Sequence, residues 1–544
     1  MKSGTATSTL AGFLREIAAR FPERTALVMR SAAGEQRVTY RQLADVSDRV
    51  AISLAHLGIR RGDTVVLWLP NVFEYVMLFF GATKLGACVI GLNTRYRAAE
   101  LRSVLESAQP TAIALIPQFL NIDFIEMLRA QIDVVPALKH VISVKSPFDD
   151  AEPSVPHDLP CIAYADLDAV VAGAQVAEAS SAEDAAIVFT TSGTTAAPKL
   201  AAHDHASIVR HAFSDARGFE IHPADAILGY LPFCGVFGFS TLMGCLAAGA
   251  TCVVQPVFKS EEALDLMQRY RVTHVNGSDI FLEALLAVPN VDDGRLRHFR
   301  YGAHADFSGK LLDKFEALER RIGTRLTSTY GSSECFALMA RWPQTLSSAE
   351  RCRGGGIVVD EGIQFRVVDP NTGHSLDHGT AGELQFKGYN VFQRYLNNLA
   401  ATEAAFTHDG WFRSGDLGYT IDARSFVYLS RLNDSLRLHG YLVDPREIEA
   451  FLETHPGIAM AQVIGLESEH GAIPVAFVKA REGAIDPDAI LDYCRSHIAA
   501  YKIPRAVLFI DTFPTTESAN GVKIQKGRLR DIARERLGFS PERK

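Results

Sequence analysis

Features that mark secreted, membrane and zinc-binding proteins are missing from this 544-residue sequence. Its eight cysteines form no Cys-x-x-Cys pair and no Cys/His spacing typical of metal sites; they are Cys88, Cys161, Cys234, Cys245, Cys252, Cys335, Cys352 and Cys494. Such a scattered set indicates a reduced, cytoplasmic chain. The opening stretch carries Glu and Arg where a secretory signal needs an apolar run, so we expect no targeting segment.

Long runs of one charge or of apolar residues are missing as well. Lys and Arg number 55 against 63 Asp and Glu, a net charge of −8, without the basic stripe that binds nucleic acid. The most apolar stretch, residues 75–92, is interrupted by Lys84 and by glycines, which predicts a buried helix followed by a buried strand. Neither a nucleic-acid partner nor a membrane-spanning segment is expected.

Helical and strand patterns alternate through the first part of the chain. Apolar residues at helical spacing predict helices over 39–58, 71–86 and 99–108, and short apolar runs predict strands over 62–70 and 87–92. This order indicates an α/β body of parallel strands covered by helices. Further strands of the same body are predicted at 185–190, 225–231, 250–254, 272–276 and 297–301.

The pattern changes twice after this body. From about residue 355 the strands become shorter and are separated by turn signals, which predicts a β-rich lobe. From residue 433 onwards the pattern is that of a small α+β unit. We therefore predict a large α/β domain with a β-rich lobe over residues 1–432 and a small, mobile C-terminal α+β domain over 433–544.

One loop has a composition suited to phosphate binding. Residues 187–199 read IVFTTSGTTAAPK, in which an apolar strand precedes five hydroxyl residues, one glycine and Lys199. Backbone N–H groups and hydroxyls in such a loop can converge on phosphate oxygens. The segment is not a Walker loop, because it lacks a second glycine before the lysine and a Ser or Thr after it. On composition alone, an ordinary Ser/Thr-rich loop is the alternative.

Four further segments follow this loop along the chain: YGSSE at 330–334, WFRSGDLGY at 411–419, SRLNDSLRLHGYLVDPREIE at 430–449 and PTTESANGVKIQKGRLR at 514–530. In this order and at these separations, the five segments resemble the acyl-adenylate-forming superfamily of acyl-CoA synthetases, luciferases and nonribosomal-peptide adenylation domains. Residues 62–105 most resemble medium- to long-chain fatty-acid ligases, and benzoate-type and alicyclic-acid ligases share much of this text. The resemblance runs from about residue 10 to residue 535. It implies a ligase that uses ATP and Mg²⁺ to activate a carboxylic acid as its acyl-adenylate and then forms a thioester with coenzyme A.

The resemblance also implies roles for individual positions. The implied ATP and AMP contacts are Thr191, Ser192, Gly193, Thr194, Thr195, Lys199, Gly302, Ala303, Tyr330, Gly331, Ser333, Glu334, Asp416, Arg431 and Lys523. The residues of the 191–199 loop would surround the β- and γ-phosphates, and Tyr330 would lie against adenine. Asp416 and Arg431 would reach the ribose.

Lys523, Thr191 and Glu334 are the predicted catalytic residues, and the resemblance implies that Glu334 and Thr191 hold Mg²⁺. A carboxylate that attacks the α-phosphorus brings two anions together, so a lysine and a metal ion can offset their repulsion. Lys526 is the alternative lysine, and the register of the motif favours Lys523.

Thiol transfer requires access to a carbonyl that Lys523 covers in the first step. The resemblance implies that the small domain rotates about Asn433 and Asp434 and that Gly440 then lines the thiol channel. Rotation about one hinge can give a single site two catalytic faces.

The sequence departs from the family at the phosphate loop and at the acyl site. Ala196 and Leu200 occupy positions where the family usually has glycine, which predicts a stiffer loop. Gly235 occupies a position where many relatives have His or an aromatic residue, so we expect a roomier or longer acyl pocket beside Phe233. The apolar character of this segment favours a fatty or other apolar acid over an amino acid.

Two alternative functions stay open at this point. One is transfer of the acyl group to the phosphopantetheine of a carrier protein. The other is a non-catalytic nucleotide- or acyl-binding role, because a fold does not guarantee activity. The sequence determines neither the acid nor the oligomeric state, and a homodimer is one option.

Overall fold

The computed structural model describes residues 8–149, 159–169, 177–191, 198–289, 293–306, 311–432, 436–438, 441–443, 445–468, 471–481, 486–498, 502–518 and 521–538. Its α-helices are α1 (Leu10–Arg20), α2 (Tyr40–His56), α3 (Phe73–Lys84), α4 (Ala98–Ala108), α5 (Phe124–Arg129), α6 (Tyr164–Ala169), α7 (His205–Gly218), α8 (Val236–Ala248), α9 (Ser260–Arg269), α10 (Asp279–Leu286), α11 (Asp293–Leu296), α12 (Leu311–Ile322), α13 (Ser348–Arg351), α14 (Leu399–Ala405), α15 (Pro445–Glu453), α16 (Pro487–His497) and α17 (Lys526–Leu537).

The strands of the first 300 residues are β1 (Thr25–Ser31), β2 (Gly34–Thr39), β3 (Thr64–Trp68), β4 (Cys88–Gly91), β5 (Ala112–Leu115), β6 (Gln118–Phe119), β7 (Ile122–Asp123), β8 (His140–Ser143), β9 (Cys161–Ala163), β10 (Ala185–Thr190), β11 (Leu200–Asp204), β12 (Ala226–Gly229), β13 (Thr251–Val254) and β14 (Gly277–Ser278). Those that follow are β15 (Ala303–Ala305), β16 (Thr327–Ser332), β17 (Phe336–Arg341), β18 (Gly355–Val358), β19 (Ile363–Val368), β20 (Gly382–Gly388), β21 (Arg394–Tyr395), β22 (Phe412–Thr420), β23 (Ser425–Arg431), β24 (Leu436–Leu438), β25 (Tyr441–Val443), β26 (Ile458–Ser468), β27 (Gly471–Ala480), β28 (Ala506–Phe509), β29 (Thr515–Ser518) and β30 (Gly521–Ile524).

The predicted α/β body is confirmed. One sheet has the strand order β21-β11-β10-β4-β3-β5-β8-β9 and is parallel from β10 to β9. Strands β4 and β5 are buried at every position, as expected for parallel strands covered on both faces. Strands β11 and β21 extend this sheet in antiparallel pairing beyond β10. This antiparallel edge carries the end of the predicted phosphate loop.

A second sheet has the order β12-β13-β1-β2. Two segments beside it, 272–276 and 297–301, were predicted as strands but form only isolated bridges. At 272–276 and 297–301 only His274 and Tyr301 form bridges, which link β12 to His274 and His274 to Tyr301. Hydrogen bonds from Thr273 N to Ala226 O and from Arg300 N to Thr273 O keep both segments extended. The apolar pattern indicated extended backbone correctly, but a regular ladder also needs aligned partners, and the pairing here stops after single bridges.

The β-rich lobe is confirmed as one mixed sheet of order β14-β15-β16-β17-β18-β23-β22-β20-β19. Strands β14, β15 and β16 are parallel, and the pairs from β16 to β19 are antiparallel. The same sheet therefore begins in the α/β body and ends in the lobe, so residues near 303, 330 and 416 lie on connected strands.

A local capping signal explains where helix α2 begins. Thr39 caps α2: its Oγ1 accepts a hydrogen bond from Gln42 N at 3.2 Å, and Gln42 Oε1 accepts one from Thr39 N at 2.9 Å.

The apolar stretch at 75–92 forms most of the buried helix α3 followed by the buried strand β4, as predicted. Across the described ranges, no helix is both long enough and apolar enough to cross a membrane.

The C-terminal residues form an α+β unit with its own cores. Strands β26, β27 and β28 make a sheet flanked by α15, α16 and α17, and β24-β25 and β29-β30 are hairpins. Among the described residues, the hydrophobic clusters of this unit draw only on positions 436–537, whereas the clusters of the larger unit end at residue 428. This separation agrees with a domain boundary near residue 433, which stays a prediction.

Candidate active site

The base of the predicted phosphate loop is closed by two hydrogen bonds. Thr191 N donates to Lys199 O at 2.8 Å, and Lys199 N donates to Thr191 Oγ1 at 3.3 Å. Below them, β10 and β11 pair antiparallel, so the loop projects from a hairpin. Leu200, one of the two departures from glycine, is buried in the core under this hairpin. Ser192, Gly193, Thr194, Thr195 and Ala196 lie outside the described residues.

The turn that carries Glu334 follows β16 and is packed against the phosphate-loop hairpin. Ser333 Oγ donates a long 3.5 Å hydrogen bond to Thr190 O. A Cβ added at Gly331 would overlap the carbonyl oxygen of Phe336, so only glycine fits where the turn folds back on itself. These contacts bring the turn that carries Glu334 to the end of β10.

Two buried histidines hold the far side of this turn. His203 Nε2 lies 2.7 Å from Ser333 O, and His211 Nε2 lies 2.7 Å from Ala337 O. Between them, the ring of Phe336 has its centroid 4.0 Å from that of His203 and 4.7 Å from that of His211. Phe336 adopts φ 62°, a strained conformation for a bulky residue that persists only where surrounding packing enforces it. His203 therefore has a structural position, as does His205, which is the first residue of α7.

Tyr330, Asp416 and Arg431 meet on neighbouring parts of the lobe sheet. The Tyr330 hydroxyl donates to Asp416 Oδ2, and Arg431 Nη1 lies 3.1 Å from Asp416 Oδ1. The Asp416 carboxylate is buried, and this negative charge raises the pKa of the Arg431 guanidinium above its usual value. Asp416 and Arg431 are directly paired across β22 and β23, which explains why residues 15 positions apart share one site.

Gly302 comes immediately before β15 and Ala303 is its first residue; the next strand in the chain, β16, carries Tyr330 and is adjacent to β15 in the sheet. Ala303 is paired with Thr327 of β16, three residues before Tyr330. A Cβ at Gly302 would overlap Val275 O, so the close approach of these backbones requires glycine. Ala303 N donates to Asn276 Oδ1 at 2.9 Å. The structure therefore brings the predicted adenine-side backbone close to Tyr330.

Tyr395 is a residue that the sequence reasoning missed. Its hydroxyl donates to Glu334 Oε1 at 2.8 Å, and Lys199 Nζ lies 5.0 Å from the centroid of its ring. Sixty-one residues separate Tyr395 from Glu334, and no local pattern links them. Only the pairing of β21 with β11 brings Tyr395 to the phosphate-loop hairpin.

Phe233 and Gly235 lie between β12 and α8, in a segment held by one buried side chain. Asn71 Nδ2 donates to Gly229 O at 3.0 Å and Leu231 O at 2.9 Å, and Asn71 Oδ1 accepts from Phe233 N at 2.8 Å. Gly235 is the N-cap of α8, and its backbone is extended at φ −99° and ψ 148°. Any L-residue can adopt these angles, so the backbone does not require glycine here.

The C-terminal predictions are only partly within the described residues. Lys523 lies on β30, where its backbone is paired with Thr516 of β29. The side chain of Lys523 lies outside the described part of the structure. Lys526 Nζ lies 2.9 Å from Glu449 Oε1 inside the small unit, with both side chains largely buried. Asn433, Asp434 and Gly440 lie outside the described residues. The ion pair with Glu449 gives Lys526 a structural role, and the choice of Lys523 as the catalytic lysine stays a prediction.

The side chains present suit a metal ion that is held mainly by phosphate oxygens. Among the described residues, no group of three or more His, Cys, Asp and Glu side chains is placed to hold a metal. One carboxylate, Glu334, and one hydroxyl, Thr191, stand beside the phosphate-loop base. Mg²⁺ usually keeps several waters and binds through one or two carboxylates together with substrate phosphates, so this donor set fits it.

Two parts of the chain match known families. Residues 14–396 match the AMP-binding enzymes, and residues 447–520 match the C-terminal domain of the AMP-binding enzymes. The first match alone spans well over half of the chain. The chain belongs to the AMP-binding enzyme family.

Individual relatives in this AMP-binding family are similar over nearly their whole length. The putative acyl-CoA synthetase YngI of Bacillus subtilis is 28% identical and covers 98% of each chain. A methyl-dioxo-octahydro-indenyl propanoyl:CoA ligase of Mycobacterium tuberculosis is 30% identical over 96% of this chain and 99% of the relative. Among solved structures, ATP-bound MatB from Rhodopseudomonas palustris is 26% identical with a TM-score of 0.82, over 96% of this chain and 99% of that one.

Proposed function

We propose that this protein activates an apolar carboxylic acid as its acyl-adenylate and transfers the acyl group to coenzyme A. As a member of the AMP-binding enzymes with CoA-ligase relatives, it is an ATP-dependent ligase that acts through acyl-AMP. The observation that carries the assignment of its active site is the convergence of Tyr330, Asp416 and Arg431 beside Glu334 and Lys199.

The nucleoside end of ATP is proposed to bind at the Tyr330–Asp416–Arg431 cluster. A buried carboxylate is costly unless it accepts hydrogen bonds or is paired with a cation, and Asp416 accepts a hydrogen bond from Tyr330 and forms an ion pair with Arg431. Ribose hydroxyls offer the same kind of donor, so they can replace or share these contacts. Adenine would then lie between the Tyr330 ring and the backbone of Gly302 and Ala303.

The triphosphate end is proposed to bind between the phosphate loop and the Glu334 turn. Lys199 and the loop hydroxyls would hold the β- and γ-phosphates, with Glu334 and Thr191 as the protein ligands of Mg²⁺. When bound, Mg²⁺ supplies positive charge that neutralises the departing pyrophosphate. Phe392 N donates to the carbonyl of Glu334, and the Tyr395 hydroxyl donates to its carboxylate. These two hydrogen bonds keep the carboxylate oriented.

The two chemical steps share this surface. In the first, a carboxylate oxygen of the acid attacks the α-phosphorus, the bond to pyrophosphate breaks, and Lys523 offsets the charge of the two anions. In the second, the sulfur of coenzyme A attacks the acyl carbonyl and AMP leaves. We propose that the domain of residues 433–544 rotates about Asn433 and Asp434 between these steps, which brings Gly440 to the thiol channel. The separate hydrophobic clusters on either side of residue 433 support independent movement.

Gly235 is proposed to set the length of the acyl pocket. Replacing it with Trp is expected to lower kcat/KM for long acids while a short acid keeps its rate. Each methylene excluded from an apolar pocket costs about 0.8 kcal/mol, or roughly fourfold in kcat/KM. The extended backbone at this position accepts Ala, His and Trp, so a graded series can be compared with acids of increasing chain length.

The Gly235 series contains its own controls. Gly235→Ala adds one methyl group and is expected to shorten the preferred acid by less than Gly235→Trp. A short acid reports on adenylation that is independent of pocket length. If the chain-length profile of Gly235→Trp matches that of the unaltered protein, Gly235 does not limit the pocket.

The proposed function is tested by pyrophosphate release from the full chain with ATP, Mg²⁺ and acids of varied length and shape. We expect release with an apolar acid and a thioester product when coenzyme A is added. A product formed only with a phosphopantetheine carrier protein would replace coenzyme A as the acceptor. Failure to bind nucleotide in the presence of Mg²⁺, together with no mixed anhydride from any acid, would contradict the proposal. A cytoplasmic location and a homodimer are further proposals, and sedimentation tests the second.

A further inference from the structure

We propose that Tyr395 is a positioning residue that holds the metal-binding carboxylate of Glu334 and the phosphate-loop cation of Lys199 in register before ATP binds. This inference rests on the proposed function, because it concerns how the same phosphate site is organised. Tyr395 is placed by the fold between the two groups, and each group contacts a different part of its side chain.

The backbone of Tyr395 is fixed to the strand that follows Lys199. Tyr395 pairs with Ala201 across β21 and β11, and Leu396 N donates to Leu200 O at 2.8 Å. On its other side, Tyr395 N donates to Thr402 Oγ1 at 3.0 Å. With its backbone fixed on both sides, the ring has a defined position beside the loop base.

The hydroxyl of Tyr395 orients Glu334. It donates to Glu334 Oε1 at 2.8 Å, and Phe392 N from the same segment donates to Glu334 O at 2.7 Å. A tyrosine hydroxyl is ordinarily protonated at neutral pH, so it is the donor to the carboxylate in this contact. Holding one carboxylate oxygen fixes the direction of the other, which reduces the ordering that Mg²⁺ binding requires.

The ring of Tyr395 positions Lys199. Lys199 Nζ lies 5.0 Å from the ring centroid, within the range of a cation–π interaction. An ammonium group has three N–H donors, so one face can rest against the ring while donors remain for phosphate oxygens. The ring therefore restricts a flexible side chain to the side of the loop where phosphate is proposed to bind.

The two contacts can be separated by substitution. Tyr395→Phe removes the hydroxyl and keeps the ring, whereas Tyr395→Leu removes both. The probe is a fluorescent ATP analogue, titrated without acid or coenzyme A, at several Mg²⁺ concentrations and in EDTA. For Tyr395→Phe we expect the Mg²⁺ concentration that supports half-maximal binding to rise about tenfold, as for a lost hydrogen bond to a charged group, with binding in EDTA unchanged.

For Tyr395→Leu we expect the same Mg²⁺ shift and, in addition, roughly twofold to fivefold weaker binding in EDTA, because Lys199 loses its ring contact. Tyr270→Phe is the matched control: its hydroxyl donates to Glu35 Oε2 at 2.8 Å and Arg269 lies over its ring at 5.8 Å, so it makes the same two kinds of contact between β2 and the end of α9. We expect this control to leave both Mg²⁺ dependence and binding in EDTA unchanged.

The outcomes distinguish this inference from the proposed function. If the unaltered protein binds ATP in a Mg²⁺-dependent way but Tyr395→Phe shows the same Mg²⁺ dependence, Tyr395 does not position Glu334 and the inference is overturned. If Tyr270→Phe produces the same shift, the effect is a general one of losing a tyrosine–carboxylate hydrogen bond and the inference is overturned as well. If the unaltered protein binds no ATP, the proposed function itself fails. Tyr395→Phe retains the ring packing, so its folding can be verified by circular dichroism before titration.

Discussion

Replacing Lys523 by alanine is expected to slow acyl-adenylate formation by roughly 10²- to 10³-fold, the loss typical of removing one group that stabilises transition-state charge. Attack of a carboxylate on the α-phosphorus concentrates negative charge, which the Lys523 ammonium is proposed to offset. Thioester formation from a supplied acyl-adenylate is expected to stay within a few-fold of normal, because the small domain is proposed to carry Lys523 away for that step. Pyrophosphate exchange and thioester formation measure the two half-reactions separately.

Lys526 provides the control for this experiment. Its ammonium lies 2.9 Å from Glu449 Oε1 and 3.4 Å from Val463 O. Lys526→Met leaves Glu449 buried without this partner, so it is expected to destabilise the small domain by about 3–5 kcal/mol in urea unfolding. Adenylation per folded molecule is expected to persist. The assignment is wrong if Lys523→Ala impairs both half-reactions equally, or if Lys526→Met alone abolishes adenylation.

Acidification from about pH 6.5 towards about pH 4 is expected to destabilise the large domain steeply. Burial lowers the pKa of four histidines to about 4 and that of a fifth to about 3; they are His203, His205, His211, His274 and His304, in that order. The unfolded chain binds protons at these groups near their ordinary value of 6.5, and the folded chain does not. The free energy of unfolding therefore falls as pH falls through this window, by about 1.4 kcal/mol per pH unit for each histidine.

Two buried carboxyl groups act in the opposite direction. Burial raises the pKa of Asp215, which lies 3.3 Å from His211, and of Glu74. These groups retain protons in the folded state that the unfolded chain releases, so they offset part of the histidine effect. The five histidines set an upper limit of about 7 kcal/mol per pH unit for the slope, and the two carboxyl groups reduce it. Above about pH 6.5 the histidines contribute no slope.

The His304→Leu variant tests the origin of this slope. His304 is buried beside Phe315, with ring centroids 6.2 Å apart, and burial lowers its pKa to about 3, further than for the other four histidines. The variant is expected to reduce the slope by about one proton and to be about 2 kcal/mol more stable than the unaltered protein near pH 5. All three tryptophans lie within residues 1–432, so their fluorescence follows the large domain in urea.

An exposed histidine supplies the matched substitution for this acid experiment. His374→Leu makes the same chemical change on the surface of the lobe and is expected to leave the slope as it is. The histidine account is refuted if stability is flat between about pH 6.5 and about pH 4.5, or if His374→Leu and His304→Leu change the slope alike.

Much of the fold could be predicted from short-range patterns. The helices α2, α3 and α4 and the strands β3, β4 and β10 are close to their predicted ranges, because apolar periodicity and capping residues act between neighbours in sequence. The segments 272–276 and 297–301 were predicted as strands and form only single bridges. Their apolar residues indicated burial and extension, but the length of a ladder depends on a partner that is distant in sequence.

The candidate active site was likewise predictable from the sequence only in part. By itself the sequence determined the order of the motifs, the hydroxyl-rich composition of the phosphate loop and the positions of Asp416 and Glu334, because these are local in the chain. Only the tertiary structure placed Tyr395 between Glu334 and Lys199 and engaged Lys526 with Glu449. The physical reason is that side chains meet only where strands pair or helices pack, and this pairing and packing bring together residues that no spacing in the sequence connects.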